Sequence, residues 1–149
     1  GALMGSDVRL SGPEELHPPK DVADLANDIA GRTGARITIT DDVRQAVSGV
    51  DFIHTDVWVS MGEPKEVWDE RVALLRPYQV NSAAMSATGK PTSKFMHCLP
   101  AFHDSSTSIG QDIAAKTGMT KGLEVTHEVF ESPASIVPRF SCTREPNKP

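Results

Sequence analysis

With 149 residues the chain can form one domain with a sizeable core, and its 38% hydrophobic and 23% charged content exclude a disordered polymer. A formal net charge of −5 without a Lys/Arg cluster argues against a nucleic-acid surface. No apolar run approaches the roughly 20 residues that span a bilayer, no secretory leader is evident, and Cys98 and Cys142 make no disulfide framework, so a reducing compartment is expected.

Val8-Arg9-Leu10 reads as a short strand ended by Ser11-Gly12-Pro13. Pro18-Pro19 then opens a helix in which Val22, Leu25, Ala26, Ile29 and Ala30 fall on one face and are expected to be buried, with Gly31 and Gly34 closing it. The alternating, β-branched stretch Ala35 to Thr40 is a strand. Thr40 or Asp41 is expected to cap a brief helix carrying Val43, Ala46 and Val47. Val50 to Thr55 is the next strand, leading into an Asp56–Gly62 loop.

Pro64 suits the first turn of a helix reaching Tyr78, with Val67, Trp68, Val72 and Leu75 inward and the acidic Glu63 and Glu66 at its start. Asn81 is expected to cap a second short helix, Ser82 to Ala87, ended by Gly89. Lys94 to Leu99 is a buried strand stopped by Pro100, which has no N–H for a ladder. Ser108 to Lys116 reads as a helix with Ile109, Ile113 and Ala114 on one side, Leu123-Glu124-Val125 as a weak strand or loop, and His127 to Glu131 as a helical turn. Residues 138–149 are polar, contain proline and lack periodicity, so they are expected to be a disordered tail after a domain spanning 1–137. Strands alternating with helices predict an α/β fold with a mostly parallel sheet covered on both faces.

In such sheets ligands bind beyond the C-terminal ends of the strands. Two polar clusters sit there: Asp56 with Ser60 and Met61, and His97 with Cys98 and Leu99. Asp56 either holds a ligand ammonium group or caps a turn, and the residue types leave both open. Ser60 and Gly62 alone are ordinary turn residues. Met61 is filler, or a backbone donor. His97 and Cys98 are adjacent in a strand and must point to opposite faces, which argues against a Cys–His catalytic pair and for an inert buried thiol. Zinc held by His97, Cys98, His103 and Asp104 is weaker still, because no second Cys lies near; no metal is therefore assigned. His17, His54 and His127 read as single structural histidines, and no glycine-rich phosphate loop is present. The residues alone define a ligand-binding α/β domain.

Taken together, Asp56-Val57-Trp58-Val59-Ser60-Met61-Gly62, His97-Cys98-Leu99-Pro100 and Glu128-Val129-Phe130-Glu131-Ser132-Pro133 closely resemble the C-terminal, ornithine-binding half of ornithine carbamoyltransferase. The resemblance runs in order from residue 1 to about Val137. It implies a Rossmann-like, three-layer parallel sheet and transfer of a carbamoyl group from carbamoyl phosphate to the δ-amine of L-ornithine, giving L-citrulline and phosphate, without a cofactor. It implies further that Asp56, Ser60 and the backbone of Met61 hold ornithine, the Ser-Met-Gly loop closing over it. Backbone oxygens of Cys98 and Leu99 would meet the carbamoyl group. Cys98, with Asp56 nearby, would help the δ-ammonium lose its proton, since an alkyl amine ordinarily titrates at about pH 10.4 and arrives protonated.

Family members are homotrimers or assemblies of trimers, and a bacterial-type cytoplasmic location is expected, with a mitochondrial matrix location as the alternative. Against the family pattern, the carbamoyl phosphate domain, the first strand with its Asn turn, and the last helix are missing. The chain also opens at Gly1-Ala2-Leu3-Met4-Gly5 without an initiator Met, as expected of a cloning scar, a processed end or a fragment. Arg139 and Arg144 lie outside the motif and receive no role. The expectation is a truncated domain without turnover of its own. A non-catalytic amino-acid-binding or interaction domain is the alternative, and a thiol hydrolase using Cys98 a weaker one.

Overall fold

The structure, a computed structural model, describes residues 1–59 and 65–137, except the side chains of residues 65, 66, 108 and 109. Ser60, Met61, Gly62, Pro64 and the predicted tail 138–149 therefore lie outside the described residues, as do the inward placement of Ile109 and the side chain of Glu66. The chain divides into two compact units, Gly1–Ser48 and a second that begins at Gly49.

In the first unit, β1 (Asp7–Ser11) and β2 (Arg36–Thr40) pair in parallel, from Asp7 opposite Arg36 to Ser11 opposite Thr40. Parallel strands need a crossover, and α1 (Lys20–Thr33) supplies it. Pro19 stands at its N-cap, and Gly34, with φ of +77°, ends it by donating its N–H to the Ala30 carbonyl. Gly31 lies inside the helix and does not close it. The buried face also differs from the predicted one. Ala30 is buried and Ala23, Ala26 and Ile29 are half-buried, whereas Val22 and Leu25 are 52% and 59% exposed.

The short helix α2 (Val43–Val47) is capped by Asp42, whose Oδ1 accepts from the N–H groups of Arg44 and Gln45, rather than by Thr40 or Asp41. Thr40 supports that cap instead, its hydroxyl accepting from the Asp42 N–H and donating to Gln45 Oε1. At the other end Arg9 donates to the carbonyls of Gln45, Ala46 and Ser48, placing a cation where the helix dipole is negative.

The second unit repeats the βαβ logic. β3 (Phe52–Thr55) and β4 (Lys94–His97) run parallel, and α3 (Lys65–Leu75), a 3₁₀ turn (Arg76–Tyr78) and α4 (Ser82–Ala87) lie between them in sequence. Asn81 caps α4 as predicted, accepting from the Ala84 N–H. β3 starts two residues later than predicted, since the Val50 carbonyl accepts from the Ser93 hydroxyl. β4 ends at His97 rather than Leu99, where the His97 ring engages the Cys98 carbonyl. Beyond it, α5 (Ser108–Thr117), capped by Thr107, and α6 (His127–Phe130) complete the unit.

The core joins Trp58, Val59, Val72, Phe102, Ile113 and Leu123, with Trp68 and Leu75 packed against it, so the predicted inward face of α3 is borne out. Phe95 is fully buried on β4, a side chain whose removal from water stabilises by about 1.5–3 kcal/mol. The parallel α/β expectation holds; among the described residues the hydrogen bonding forms two parallel pairs rather than one continuous sheet. No described helix is long and apolar enough to cross a membrane.

Candidate functional site

The paired ends of β3 and β4 place the sequence-predicted residues. Thr55 lies opposite His97 as the last pair of the register, and Asp56 and Cys98 are the residues that follow it directly. Alternation then assigns faces. Ile53, Phe95 and His97 are buried, while Phe52, His54, Met96 and Cys98 are exposed. Asp56 is exposed too and shares the parity of His54. Asp56 and Cys98 are thus both exposed just past the strand ends, and Cys98 is not the buried, inert thiol that was expected. Cys98 is a free thiol.

Asp56 Oδ1 accepts from the N–H of the next residue, Val57, at 2.7 Å. Immediately after it, Trp58 and Val59 sink into the core and anchor the segment leading toward Ser60 and Met61. His54, read from sequence as structural, stands with Nε2 3.4 Å from the Cys98 sulfur. An imidazole beside a thiol can take or relay its proton. The signal available in the sequence was parity: His54 is two residues before Asp56 on the same strand face.

The inward face is different chemistry. The His97 and Glu124 side chains are fully buried, with Nε2 3.1 Å from Oε1. Glu124 Oε1 also accepts from the Phe102 N–H at 2.5 Å, and His97 Nδ1 engages the Cys98 carbonyl. Both ring nitrogens therefore face oxygens. This pair binds the end of β4 and the loop after it to the 122–125 segment, where Val125 forms an isolated parallel bridge to Val80. Glu124 was invisible in the sequence because it sits between two apolar residues, where a carboxylate is the exception. The loop it supports includes the cis peptide Leu99–Pro100. With the Cys98 carbonyl already engaged by His97, its remaining lone pair is the one a ligand amide could use.

A third cluster joins residues 24 positions apart. His103 Nδ1 lies 3.1 Å from His127 Nδ1, and Asp104 Oδ2 stands 3.9 Å and 3.7 Å from them. Burial is the main influence on His103 and lowers its pKa against the raising effect of Asp104. Burial raises Asp104, but the Ser106 backbone and hydroxyl hydrogen bonds, with the two imidazoles, outweigh it and leave the carboxyl below its usual range. His97 and Cys98 are not in this cluster, so the four-residue zinc set considered from sequence does not assemble. In the first unit, an open hollow lined by Leu10, Ser11, Gly12, Leu16, His17 and Pro18 contains none of the predicted site residues.

The family described as aspartate/ornithine carbamoyltransferase, Asp/Orn binding domain, matches residues 1–140. A catabolic ornithine carbamoyltransferase of Rhizobium meliloti is 60% identical over 136 residues, covering 91% of this chain and 41% of the relative. That of Chromobacterium violaceum is 58% identical over 137 residues, with the same coverage. Among solved structures, ornithine carbamoyltransferase from Pyrococcus furiosus superposes with a TM-score of 0.72 at 36% identity, covering 91% of this chain and 37% of its own. Ornithine transcarbamoylase from Giardia lamblia gives 0.68 at 31% identity, again covering 91% and 37%. The chain thus spans about two fifths of the relatives it matches, and the Rossmann-like expectation is borne out by their fold.

Proposed function

The chain belongs to the aspartate/ornithine carbamoyltransferase family, as its Asp/Orn binding domain, and we propose that it forms the ornithine-binding part of an enzyme that carbamoylates the δ-amine of L-ornithine with carbamoyl phosphate. The observation that supports this reading is the β3–β4 register, whose last pair is Thr55 with His97, so that the exposed Asp56 and Cys98 each follow directly on a paired strand end. Asp56 holds an ammonium group through charge-assisted hydrogen bonds, the stronger class. Ser60 and the Met61 backbone complete the grip on the amino acid.

The δ-ammonium must lose a proton before its nitrogen can attack. In our reading Cys98 lies beside that nitrogen, and His54, 3.4 Å from the thiol, extends the route by which the proton leaves. The amine nitrogen then bonds to the carbamoyl carbon while the carbon–oxygen bond to phosphate breaks, and phosphate departs with the electron pair. The amine's remaining extra proton passes to phosphate or water. Cys98 forms no covalent intermediate. Backbone oxygens of Cys98 and Leu99 accept from the carbamoyl NH₂. We further propose that carbamoyl phosphate is gripped by the part of the enzyme this chain does not contain, and that the working enzyme is a homotrimer or an assembly of trimers.

The test is citrulline formation from ornithine and carbamoyl phosphate by this chain mixed with a purified carbamoyl phosphate domain. The expected result is turnover that Asp56→Asn abolishes and Cys98→Ser reduces. Turnover unchanged in both variants would refute the assignment. Ornithine binding that depends on Asp56, without turnover in a folded mixture, would favour the non-catalytic amino-acid-binding alternative.

A further inference from the structure

We propose that His103, Asp104 and His127 form a binding site for a divalent transition-metal cation of the Zn²⁺ class, separate from the Asp56–Cys98 face. Three features carry it. The first is donor chemistry: two imidazole nitrogens and one carboxylate oxygen are a borderline donor set suited to Zn²⁺ and Co²⁺ rather than to Mg²⁺ or Ca²⁺. The second is spacing. The donors form a triangle with edges of 3.1, 3.7 and 3.9 Å. Tetrahedral zinc with bonds of about 2.0–2.1 Å separates its ligands by about 3.3 Å, so small adjustments bring all three onto one ion.

The third is that two of the donors are held in place by other contacts. The His103 ring stacks on Phe130 with centroids 3.7 Å apart and planes 6° from parallel. Asp104 is oriented by Ser106, whose N–H donates to Oδ1 and whose hydroxyl donates to Oδ2. Such supporting contacts fix ligand orientation in metal sites. The backbone is pinned as well: Leu123 donates its N–H to the Phe102 carbonyl, His127 donates to the Lys121 carbonyl, and a Cβ at Gly122 would stand 2.8 Å from the His103 carbonyl oxygen. Gly122, with φ of +108°, is what lets the two segments approach.

In the described geometry the two Nδ1 atoms face each other, with 5.3 Å between ring centroids and planes 14° apart, and can share one N–H. A cation replaces that proton. His127, 55% exposed at its side chain, supplies the movement by swinging its lone pair toward the common point, while His103 at 18% stays fixed. A fourth position stays open to water. The bound ion would tie the 102–107 loop to the start of α6.

The test titrates Zn²⁺ and Co²⁺ into the full chain carrying Cys98→Ser and Cys142→Ser, so that no thiol can serve as ligand. One ion per chain is expected, with a Co²⁺ absorption spectrum of nitrogen and oxygen ligation and a Tm that rises with metal concentration. His127→Asn and Asp104→Asn should each weaken binding about tenfold or more while circular dichroism stays unchanged. No binding to the thiol-free chain would overturn the proposal. So would affinity undiminished by His127→Asn, or a wild-type thiolate–Co²⁺ band whose loss in Cys98→Ser removes all binding.

Discussion

The two faces of the β3–β4 ends lie back to back and have opposite characters. On the inner face, His97 and Glu124 are fully buried, and the backbone of Phe102 depends on them. On the outer face, one residue away in sequence, Cys98 stands in solvent beside His54, with Asp56 one register step beyond the last pair. Strand alternation alone turns adjacent residues into a structural pair and a chemical one. The lesson is that perturbing each face should register in a different measurement: the inner in stability, the outer in binding and reactivity.

The sharpest way to break that division is Glu124→Ala. It leaves a buried imidazole and the Phe102 N–H without their acceptor, and chemical denaturation should show a loss of about 3–5 kcal/mol. Glu124→Gln keeps the shape and an acceptor and should cost about 1–3 kcal/mol. A loss below about 1 kcal/mol for the alanine variant would mean that the inner pair is not structural.

Asp56→Asn addresses the other face. Removing one charge-assisted contact should weaken ornithine binding by about 1.5–3 kcal/mol in a calorimetric titration of the reconstituted enzyme. Its stability should stay within about 0.5 kcal/mol of the parent, because the side chain is exposed. His54→Phe should slow alkylation of Cys98 by iodoacetamide, again with little effect on unfolding, because an imidazole helps a neighbouring thiol ionise. Equal alkylation rates would detach His54 from the thiol's chemistry.

The smallest effect is expected at the opposite end of the same strands. Lys90→Ala removes the ion pair to Asp51, whose partners are 42% and 72% exposed. It should cost about 0.2–1 kcal/mol, less at high salt, in the same denaturation assay.

The elements were legible where the local pattern decides them. Apolar spacing located α1 and α3, and Asn81 announced α4 through its side-chain capping bond. Even there the stripe did not fix burial: Val22 and Leu25 fit it and yet are exposed, while Ala23, Ala26, Ile29 and Ala30 are the more buried positions. Asp42 rather than Thr40 or Asp41 caps α2, a difference of one or two residues that only backbone geometry resolves.

In the candidate site, Asp56 and Cys98 could be named from their motifs, and the opposition of His97 to Cys98 from alternation. Glu124 and His127 could not. Their partners lie 27 and 24 residues away, and no local periodicity encodes a contact closed by a loop. The glycine at 122 was equally silent, because its φ of +108° and the close approach of the Val125 and His103 carbonyls appear only once the chain has folded.

The β3–β4 register has a consequence for how such a domain can vary. Phe52–Thr55 and Lys94–His97 pair residue for residue, four on each strand, and Asp56 and Cys98 each follow directly on the last pair. The connection between the strands does not set this pairing, so a change of length in it, outside Trp58–Val59, the Ser60–Met61 stretch and the core positions of α3, leaves the register as it is. A single deletion inside β4 behaves in the opposite way. It moves the strand by one phase, buries the thiol where the imidazole was, and presents Leu99 to the substrate. Evolution can edit the helices between these strands in length, but it can edit the strands themselves only in kind.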